Sequence, residues 1–247
     1  MNAKKAVVLL SGGLDSTTIL YHAKAQGFTP YCLIFEYGQR HHKEIDKAKT
    51  IAKLAGCHYR LMKIALPWQG SSLLDKKIRL PLSGNMNGGA RNPSLVSRAK
   101  RGKTGHGQRA TGHPVKIPST YVPARNIIFL SFSVSYAEAI GARAVFIGAN
   151  AIDYSGYPDC RPEFFKAYQR MLAKGLKTGV EGKTIRIHTP LIRKTKEQII
   201  QMGIKLNVPY DLTWSCYQGG QKPCGKCDSC RLRQKGFEAS GVVDPIR

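Results

Sequence analysis

The sequence lacks any hydrophobic run long enough to cross a membrane. Among its 247 residues, no stretch reaches the ~18 consecutive apolar residues that indicate a transmembrane helix. The first apolar run, residues 6–10, is also shorter than the hydrophobic region of a secretory signal. We therefore expect a cytoplasmic protein without a membrane partner.

Acidic residues are also scarce. Asp and Glu total 15 against 39 Lys and Arg, which gives a formal net charge of +24 and points to a polyanionic partner. Residues 76–116, called the basic insertion below, hold ten of the basic residues and no acidic one. Because this segment is rich in Gly, Ser, Asn and Pro, we interpret it as a long insertion or lid that is suited to contact a polyanion.

The remaining pattern is that of an ordinary globular protein, with 42% hydrophobic and 22% charged residues. Short apolar runs alternate with helical patterns, which predicts the α/β class and a Rossmann-like, doubly wound parallel sheet. Predicted strands cover residues 7–10, 31–35, 59–64, 144–147 and 184–187. Predicted helices cover 16–26, 45–55, 126–140, 162–172 and 195–202, with Thr195 as the N-cap and Gly203 as the end of the last one.

The turn after the first strand lacks both the Walker and the Gly-x-Gly-x-x-Gly nucleotide-binding patterns. It reads Ser-Gly-Gly-Leu-Asp-Ser-Thr over residues 11–17. Two glycines let the backbone approach phosphate oxygens, and the hydroxyl groups add hydrogen-bond donors. A carboxylate in such a turn, Asp15, indicates that magnesium binds together with a nucleotide, and a plain capped turn is the alternative.

Four of the seven cysteines are clustered near the C-terminus. Cys216, Cys224, Cys227 and Cys230 form a C-x7-C-x2-C-x2-C pattern. Two-residue spacings let thiolates converge on one ion, and four sulfurs complete a closed tetrahedral site, so we predict structural zinc. An iron–sulfur cluster and cysteines without a metal are the alternatives.

Three further segments follow strands or begin helices at the predicted ligand-binding edge of the sheet: residues 35–41, 121–126 and 150–162. An arginine at the start of a helix, Arg125, suits a carboxylate or a phosphate. Aromatic and acidic side chains after residue 148 suit a flat, guanine-like heterocycle, and a well-packed surface loop is the alternative. The predicted substrate-binding residues are Arg125, Asn126, Asp153, Tyr154, Tyr157, Asp159 and Arg161.

Residues 11–16 after an apolar strand resemble the pyrophosphate loop of the ATP pyrophosphatases. Together with the three segments and the cysteine cluster, they resemble the 7-cyano-7-deazaguanine synthase family of queuosine biosynthesis, a tRNA modification pathway, over all but the basic insertion. The resemblance implies a homodimeric ligase that uses ATP with magnesium. It would convert 7-carboxy-7-deazaguanine and ammonium to the nitrile by adenylating first the carboxylate and then the amide, with no requirement for nucleic acid.

The resemblance also implies the division of the chain and the residues of the ATP site. Residues 1–210 would form the ATP-pyrophosphatase-type α/β domain, and residues 211–247, called the four-cysteine segment below, the C-terminal zinc-binding tail. Catalytic roles fall on Ser11, Asp15 and Ser16. The implied ATP-binding residues are Leu10, Ser11, Gly12, Gly13, Leu14, Asp15, Ser16, Thr17, Thr18, Ile19, Leu20 and Lys196.

Two other functions fit part of the sequence. A tRNA thiouridine synthetase with the same loop would use the basic charge to hold tRNA, and it would need a sulfur-carrying thiolate, for which Cys160 is the candidate. A zinc-stabilised RNA-binding module without catalysis would use the basic insertion to bind RNA.

Overall fold

The structure is a computed structural model that describes residues 4–68, 70–75, 77–82, 117–152 and 156–246. Most of the basic insertion, and the predicted substrate residues Asp153 and Tyr154, lie outside the described residues. Among the helices of the described part, none has the length and apolar character needed to cross a membrane.

A parallel sheet forms the centre of the molecule. Within the described chain it has five strands in the order β3-β2-β1-β4-β5. The strands are β1 (Lys4–Leu9), β2 (Phe28–Glu36), β3 (His58–Lys63), β4 (Ala144–Phe146) and β5 (Arg186–His188). The strand order reverses between β1 and β4, which opens a crevice at the carboxyl ends of these strands.

Helices cover both faces of the sheet, so the predicted doubly wound α/β fold is confirmed. They are α1 (Leu14–Ala25), α2 (Lys43–Leu54), α3 (Arg125–Ala139), α4 (Pro162–Gly175), α5 (Lys177–Val180), α6 (Lys196–Lys205) and α7 (Asp228–Ala239). Alternate residues of β1 point to opposite faces. Ala6 and Val8 pack in one core with α1, α2 and α6, whereas Val7 and Leu9 pack in the other with α3 and α4.

The end of α6 differs from the prediction. The helix passes through Gly203 and continues to Lys205, so the prediction that Gly203 ends it was wrong. A Cβ atom at Gly203 would overlap the hydroxyl group of Tyr210. This glycine therefore allows close packing inside the helix, and it does not serve as a helix stop.

The four-cysteine segment contains a helix, α7, that the sequence analysis did not predict. Its polar composition hides the pattern, because few large apolar residues mark the buried face. Phe237 of α7 joins the same core as α6, and a Cβ atom at Gly236 would overlap the side chain of Lys196. The helix thus packs directly against the start of α6, where a predicted ATP-binding residue stands.

Candidate functional site

A cavity of about 270 Å³ opens at the carboxyl edge of the sheet. The ends of β1, β2 and β4 and the first residues of α3 and α6 form its walls, and the four-cysteine segment closes one side through Trp214, Ser215 and Tyr217. This is the crevice at the switch point, where doubly wound sheets bind ligands. The cavity therefore brings together side chains that lie up to about two hundred residues apart in sequence.

Residues 11–17, which we call the phosphate loop, form a compact turn between β1 and α1. The backbone N–H of Ser11 donates to Ser16 Oγ at 3.2 Å, and the hydroxyl groups of Ser16 and Thr17 donate to the Gly13 carbonyl at 3.1 and 2.8 Å. Gly13 is the N-cap of α1, and among the described residues no side chain caps this helix. The first-turn N–H groups and the positive end of the helix dipole therefore remain available to an anion.

Glycines let other parts of the chain approach the phosphate loop closely. Gly12 has φ +81°, and a Cβ atom there would overlap the Glu44 carbonyl of α2. A Cβ atom at Gly148, after β4, would lie only 3.1 Å from the backbone nitrogen of Ser16. Trp214 of the four-cysteine segment donates its backbone N–H to the Gly12 carbonyl at 2.9 Å. The loop is thus fixed by contacts from three separate elements.

Asp15 and Lys196 form an ion pair at the cavity wall. Lys196 Nζ lies 2.7 and 2.8 Å from the two carboxylate oxygens of Asp15, and both side chains are largely buried. The predicted N-cap Thr195 is confirmed: Thr195 and Gln198 form a capping box that places Lys196 in the first turn of α6. The structure therefore brings the lysine and the loop carboxylate together, as expected if both face one ligand.

The other predicted ATP-binding residues lie in different places, and Gly12 is not among the residues that line the cavity. Leu10, Ser11, Gly13, Leu14, Asp15 and Ser16 line the cavity. Thr17, Thr18, Ile19 and Leu20 are fully buried, and Ile19 and Leu20 belong to the hydrophobic core. Thr18 Oγ1 lies 2.9 Å from the Tyr210 hydroxyl, inside the fold. These four side chains support α1 from behind the cavity.

Arg125 is the cation on the opposite side of the cavity. It follows Ala124, whose φ of +55° is unusual for a residue with a side chain, and it begins α3. Its Nη1 donates to the Tyr37 hydroxyl at 3.3 Å. Burial works against the charge of Arg125, but the neighbouring Tyr37 and Tyr157 raise its pKa, so the guanidinium stays positive. Within the described chain, its recorded hydrogen bond leaves further donors for an anion.

Asp159 and Asn126 are hydrogen-bonded to each other. Asp159 Oδ2 accepts the backbone N–H of Asn126 at 3.0 Å, and Asn126 Nδ2 donates to the Asp159 carbonyl at 3.1 Å. Asp159 is 4% exposed, and burial raises its pKa. A distant carboxylate thus caps the start of α3. Both residues position Arg125, and Asn126 also lines the cavity.

The remaining predicted substrate residues in the described chain differ in their position relative to the cavity. Tyr157 and Cys160 line the cavity, and the Tyr157 hydroxyl is hydrogen-bonded to Thr120. Burial raises the pKa of the Cys160 thiol to about 11, so the thiol stays protonated at neutral pH. Arg161 precedes α4 as its N-cap and is not among the residues that line the cavity.

The sulfur atoms of the four predicted metal ligands converge. Those of Cys216, Cys224, Cys227 and Cys230 all lie within 4.8 Å of one another, and Cys224 and Cys230 are 3.9 Å apart. A tetrahedral site with ~2.3 Å metal–sulfur bonds separates its sulfurs by about 3.8 Å, so the cluster fits a structural metal ion. Backbone N–H groups of Gln218 and Cys224 point at Cys216 Sγ at 3.4 Å, which supports thiolate charge.

The segment after β2 connects the cysteine cluster to the cavity. His41 Nε2 lies 3.0 Å from the Cys216 carbonyl, and Lys43 Nζ donates to the carbonyls of Gly220 and Gln221 at 2.7 and 2.9 Å. Lys43 Nζ also lies 3.8 Å from the centre of the Trp214 ring. These contacts hold the four-cysteine segment against the mouth of the cavity, although its sulfurs do not line it.

Glu44 and Asn150 also line the cavity, although the sequence analysis did not name them as site residues; Asn150 stands in the predicted segment 150–162. Glu44, in the first turn of α2, lines the cavity, and burial raises its pKa to about 7. Asn150 donates to the Leu191 and Lys194 carbonyls at 3.2 and 2.6 Å, which ties the end of β4 to the start of α6. The signal for Glu44 was present, because it lies shortly after the predicted segment 35–41, but a charged residue in a first turn usually faces water.

These features place the protein in the class of doubly wound α/β proteins that bind phosphorylated ligands at the carboxyl edge of the sheet. Comparison of the sequence with known protein families gives a more specific assignment. Residues 5–241 match the family described as queuosine biosynthesis protein QueC, and the chain belongs to this family. The family recognised from the motifs is therefore confirmed.

Curated relatives agree over the full length. The chain is 47% identical to a protein named 7-cyano-7-deazaguanine synthase from Thermoplasma volcanium, over 99% of this chain and 90% of the relative. It is also 47% identical to one of the same name from Trichodesmium erythraeum, over 98% and 99%. Among solved structures, an NMN synthetase from Francisella tularensis superimposes with a TM-score of 0.46 at 13% identity, over 98% of this chain and 79% of that one, which is too distant to support a functional argument.

Proposed function

We propose that this protein is a 7-cyano-7-deazaguanine synthase, an ATP-dependent ligase of queuosine biosynthesis that forms carbon–nitrogen bonds. Its substrates would be 7-carboxy-7-deazaguanine, ATP and ammonium. Membership of the family and the name shared by full-length relatives support this assignment. The structural observation that carries it is one cavity with an uncapped phosphate loop on one side and Arg125 on the other.

The chemistry requires a carboxylate to become reactive toward ammonia. A carboxylate resists attack because its oxygen is a poor leaving group, and transfer of AMP to that oxygen makes it a good one. Arg125 would bind the carboxylate and hold it for this transfer. The cavity itself, about 270 Å³, has room for the reacting groups near the switch point.

The phosphate loop and Lys196 act on the leaving pyrophosphate. The N–H groups that begin α1, the Ser11 and Ser16 hydroxyls and the Lys196 ammonium would stabilise the negative charge that develops on it. Asp15 holds Lys196 at the cavity wall. Magnesium, when bound with ATP, would add charge neutralisation at the phosphates, and Asp15 is the loop carboxylate that would face it.

Several finer points belong to the same proposal. The structural ion of the four-cysteine segment would be zinc, and residues 1–210 would form the catalytic domain. The enzyme would act in the cytoplasm as a homodimer, and it would take free ammonium from solution. Substrate contacts would come from Arg125 with support from Asn126, Tyr157 and Asp159, whereas Asp153, Tyr154 and Arg161 remain sequence-based assignments.

The thiouridine synthetase alternative loses its main support. It needs a nucleophilic thiolate in the nucleotide site, and Cys160, its candidate, is 5% exposed with a pKa raised by burial to about 11. A thiol of this kind is a weak nucleophile at neutral pH, because the thiolate is the reactive form.

The experiment that tests the proposal is direct incubation of the purified protein with 7-carboxy-7-deazaguanine, ATP, magnesium and ammonium. Mass spectrometry should show the nitrile base together with AMP and pyrophosphate. Formation of ADP in place of AMP, or no change of the base, would refute the proposal. Thiolated tRNA after incubation with a sulfur donor would favour the alternative.

A further inference from the structure

Two carboxylates line the cavity within the described chain, and only one of them has an obvious task. Asp15 binds Lys196 with both oxygens, at 2.7 and 2.8 Å. The carboxylate of Glu44 makes no hydrogen bond or ion pair with any described residue. A partly buried carboxylate without a partner costs stability, so its presence in a ligand cavity suggests a role in the reaction.

The position of Glu44 is set by the close packing of α2 on the phosphate loop. Gly12 has no side chain, and this lets the Glu44 backbone come into contact with the loop. The Glu44 side chain then enters the same cavity as Ser11, Ser16 and Arg125. It therefore shares one cavity with the loop that would hold the leaving pyrophosphate and with the cation that would hold the substrate carboxylate.

The proposed reaction needs a group that removes protons from nitrogen. Ammonium has no lone pair, so it cannot attack an acyl carbon until it loses a proton. A general base is effective when its pKa lies near the working pH and when it stands in the site beside the reacting atoms. Burial raises the pKa of Glu44 to about 7, which meets the first condition.

The other titratable side chains of the cavity meet the conditions less well. Cys160 has a pKa of about 11, and the Tyr157 hydroxyl is bound to Thr120. His41 has its Nε2 on the Cys216 carbonyl, its Nδ1 is buried, and burial lowers its pKa. Among the titratable side chains described in the cavity, Glu44 is the carboxylate that has no hydrogen-bond or ion-pair partner, and it is not enclosed as His41 Nδ1 is.

We infer that Glu44 is the general base of the amide-forming step. The inference rests on the proposed function. Its carboxylate binds ammonium in the cavity and accepts one proton from it. The ammonia that results attacks the acyl carbon of the adenylate, the carbon–nitrogen bond forms, and the carbon–oxygen bond to AMP breaks with its electron pair leaving on AMP. The second proton passes from the new amide nitrogen to water, and Glu44 returns its own proton to solvent.

The charged groups around Glu44 act in opposite directions. Arg125 of α3 lowers its pKa, whereas Cys216 of the four-cysteine segment raises it, and burial, the largest cause, raises it further. His41 and Lys43 precede Glu44 on its own segment, and no recorded hydrogen bond joins Glu44 to Cys216. When the adenylate forms, the carboxylate charge that faces Arg125 is lost, so Arg125 can then favour ionised Glu44.

The test separates adenylation from attack by nitrogen in the Glu44→Gln variant. With substrate and ATP but no ammonium, exchange of labelled pyrophosphate into ATP should stay within about threefold of the wild type. With ammonium at pH 7, amide formation should fall by ~10²–10⁴-fold. Hydroxylamine is largely unprotonated at this pH and needs no base to attack, so hydroxamate formation by the variant should stay near the wild-type rate.

The pH profile gives a second readout. Amide formation by the wild type should decline below about pH 7 as Glu44 becomes protonated, whereas the residual rate of the variant should follow the concentration of free ammonia. The matched control is Asp46→Asn, which neutralises an exposed carboxylate of the same helix and should leave all rates unchanged.

Three results would decide against the inference or its basis. Equal losses of exchange, amide and hydroxamate in Glu44→Gln would mean that Glu44 binds substrate or supports the fold. Unchanged amide formation at pH 7 would mean that another base acts. If the wild type itself shows no pyrophosphate exchange with 7-carboxy-7-deazaguanine, the proposed function fails, and this outcome is distinct from the other two.

Discussion

The phosphate loop and the loop at residues 157–161 both lie at the carboxyl edge of the sheet, and each carries an aspartate. In the phosphate loop, Asp15 faces the cavity and its partner Lys196, and the N–H groups that begin α1 have no side-chain cap in the described structure. In the second loop, Asp159 accepts the Asn126 N–H inside the protein. Of two aspartates at the same edge of the sheet, one thus faces the cavity and the other stabilises the start of α3 inside the protein.

The difference shows how to distinguish a ligand-binding loop from a supporting one. The phosphate loop leaves backbone donors free, so it can bind a ligand with no rearrangement. In the second loop, Asp159 is hydrogen-bonded within the protein, and its effect on a ligand would pass through Arg125, which stands one residue before Asn126. Polar composition alone does not separate these cases, because both loops have it.

Removal of a metal ion from the four-cysteine segment should have the largest effect, and it should loosen the phosphate loop but not the loop at residues 157–161. Metal binding to such four-sulfur sites contributes on the order of 10 kcal/mol, so chelation should unfold the four-cysteine segment and free Trp214 from the Gly12 carbonyl. Hydrogen exchange followed by mass spectrometry should then show faster exchange around residues 11–13. Residues 157–161 should exchange as before, and added zinc should restore protection. Equal loosening of both loops would contradict the separate roles.

Replacement of the aspartate of each loop by asparagine gives a matched pair of variants. Asp15→Asn keeps the shape but removes the charge that holds Lys196, so kcat for ATP-dependent turnover should fall by ~10²–10³-fold with metal content unchanged. Asp159→Asn keeps an oxygen that can still accept the Asn126 N–H, so the loss should be less than about tenfold. Similar losses in the two variants, measured by steady-state kinetics, would refute the distinction.

Deletion of the Asp159 carboxylate should affect stability more than chemistry. Asp159→Ala leaves the buried N–H of Asn126 without an acceptor, which should lower the free energy of unfolding by about 1–3 kcal/mol. Urea denaturation measures this directly. Lost turnover with no loss of stability would instead mean that Asp159 contacts the substrate.

The smallest expected effect concerns Glu44, on the phosphate-loop side. Its pKa is about 7 in the folded state and ~4.3 in an unfolded chain, so between these values the folded state binds more protons. Wild-type stability should therefore fall as pH rises through this window. Glu44→Gln does not titrate, and relative to the wild type it should gain about 1–2 kcal/mol between pH 6 and pH 8.

Urea denaturation of both proteins at these two pH values provides the measurement. The control is again Asp46→Asn, whose carboxylate is 72% exposed and should show no such gain. A constant difference between Glu44→Gln and the wild type at both pH values would mean that Glu44 is not held in a buried, protonation-sensitive position.

The parts of the fold that were predictable share a local cause. Alternating apolar patterns mark strands and helices, and the parallel sheet follows from their order along the chain. The phosphate loop and the cysteine cluster were predictable because the spacing of neighbouring residues already brings their groups together. Helix α7 was not predicted because its buried face packs against α6, and the residues of α7 alone do not show this contact.

The sequence by itself therefore determined the fold class, the family, the turn between β1 and α1 and the set of cysteines that fits a metal ion. Only the tertiary structure decided which polar residues face the cavity. Asp159 turned inward to cap α3, Gly203 made room for Tyr210, and Glu44 entered the cavity because Gly12 allows α2 to approach. The physical reason is that burial and hydrogen bonding depend on partners distant in sequence, whereas a turn or a ligand spacing depends on neighbours.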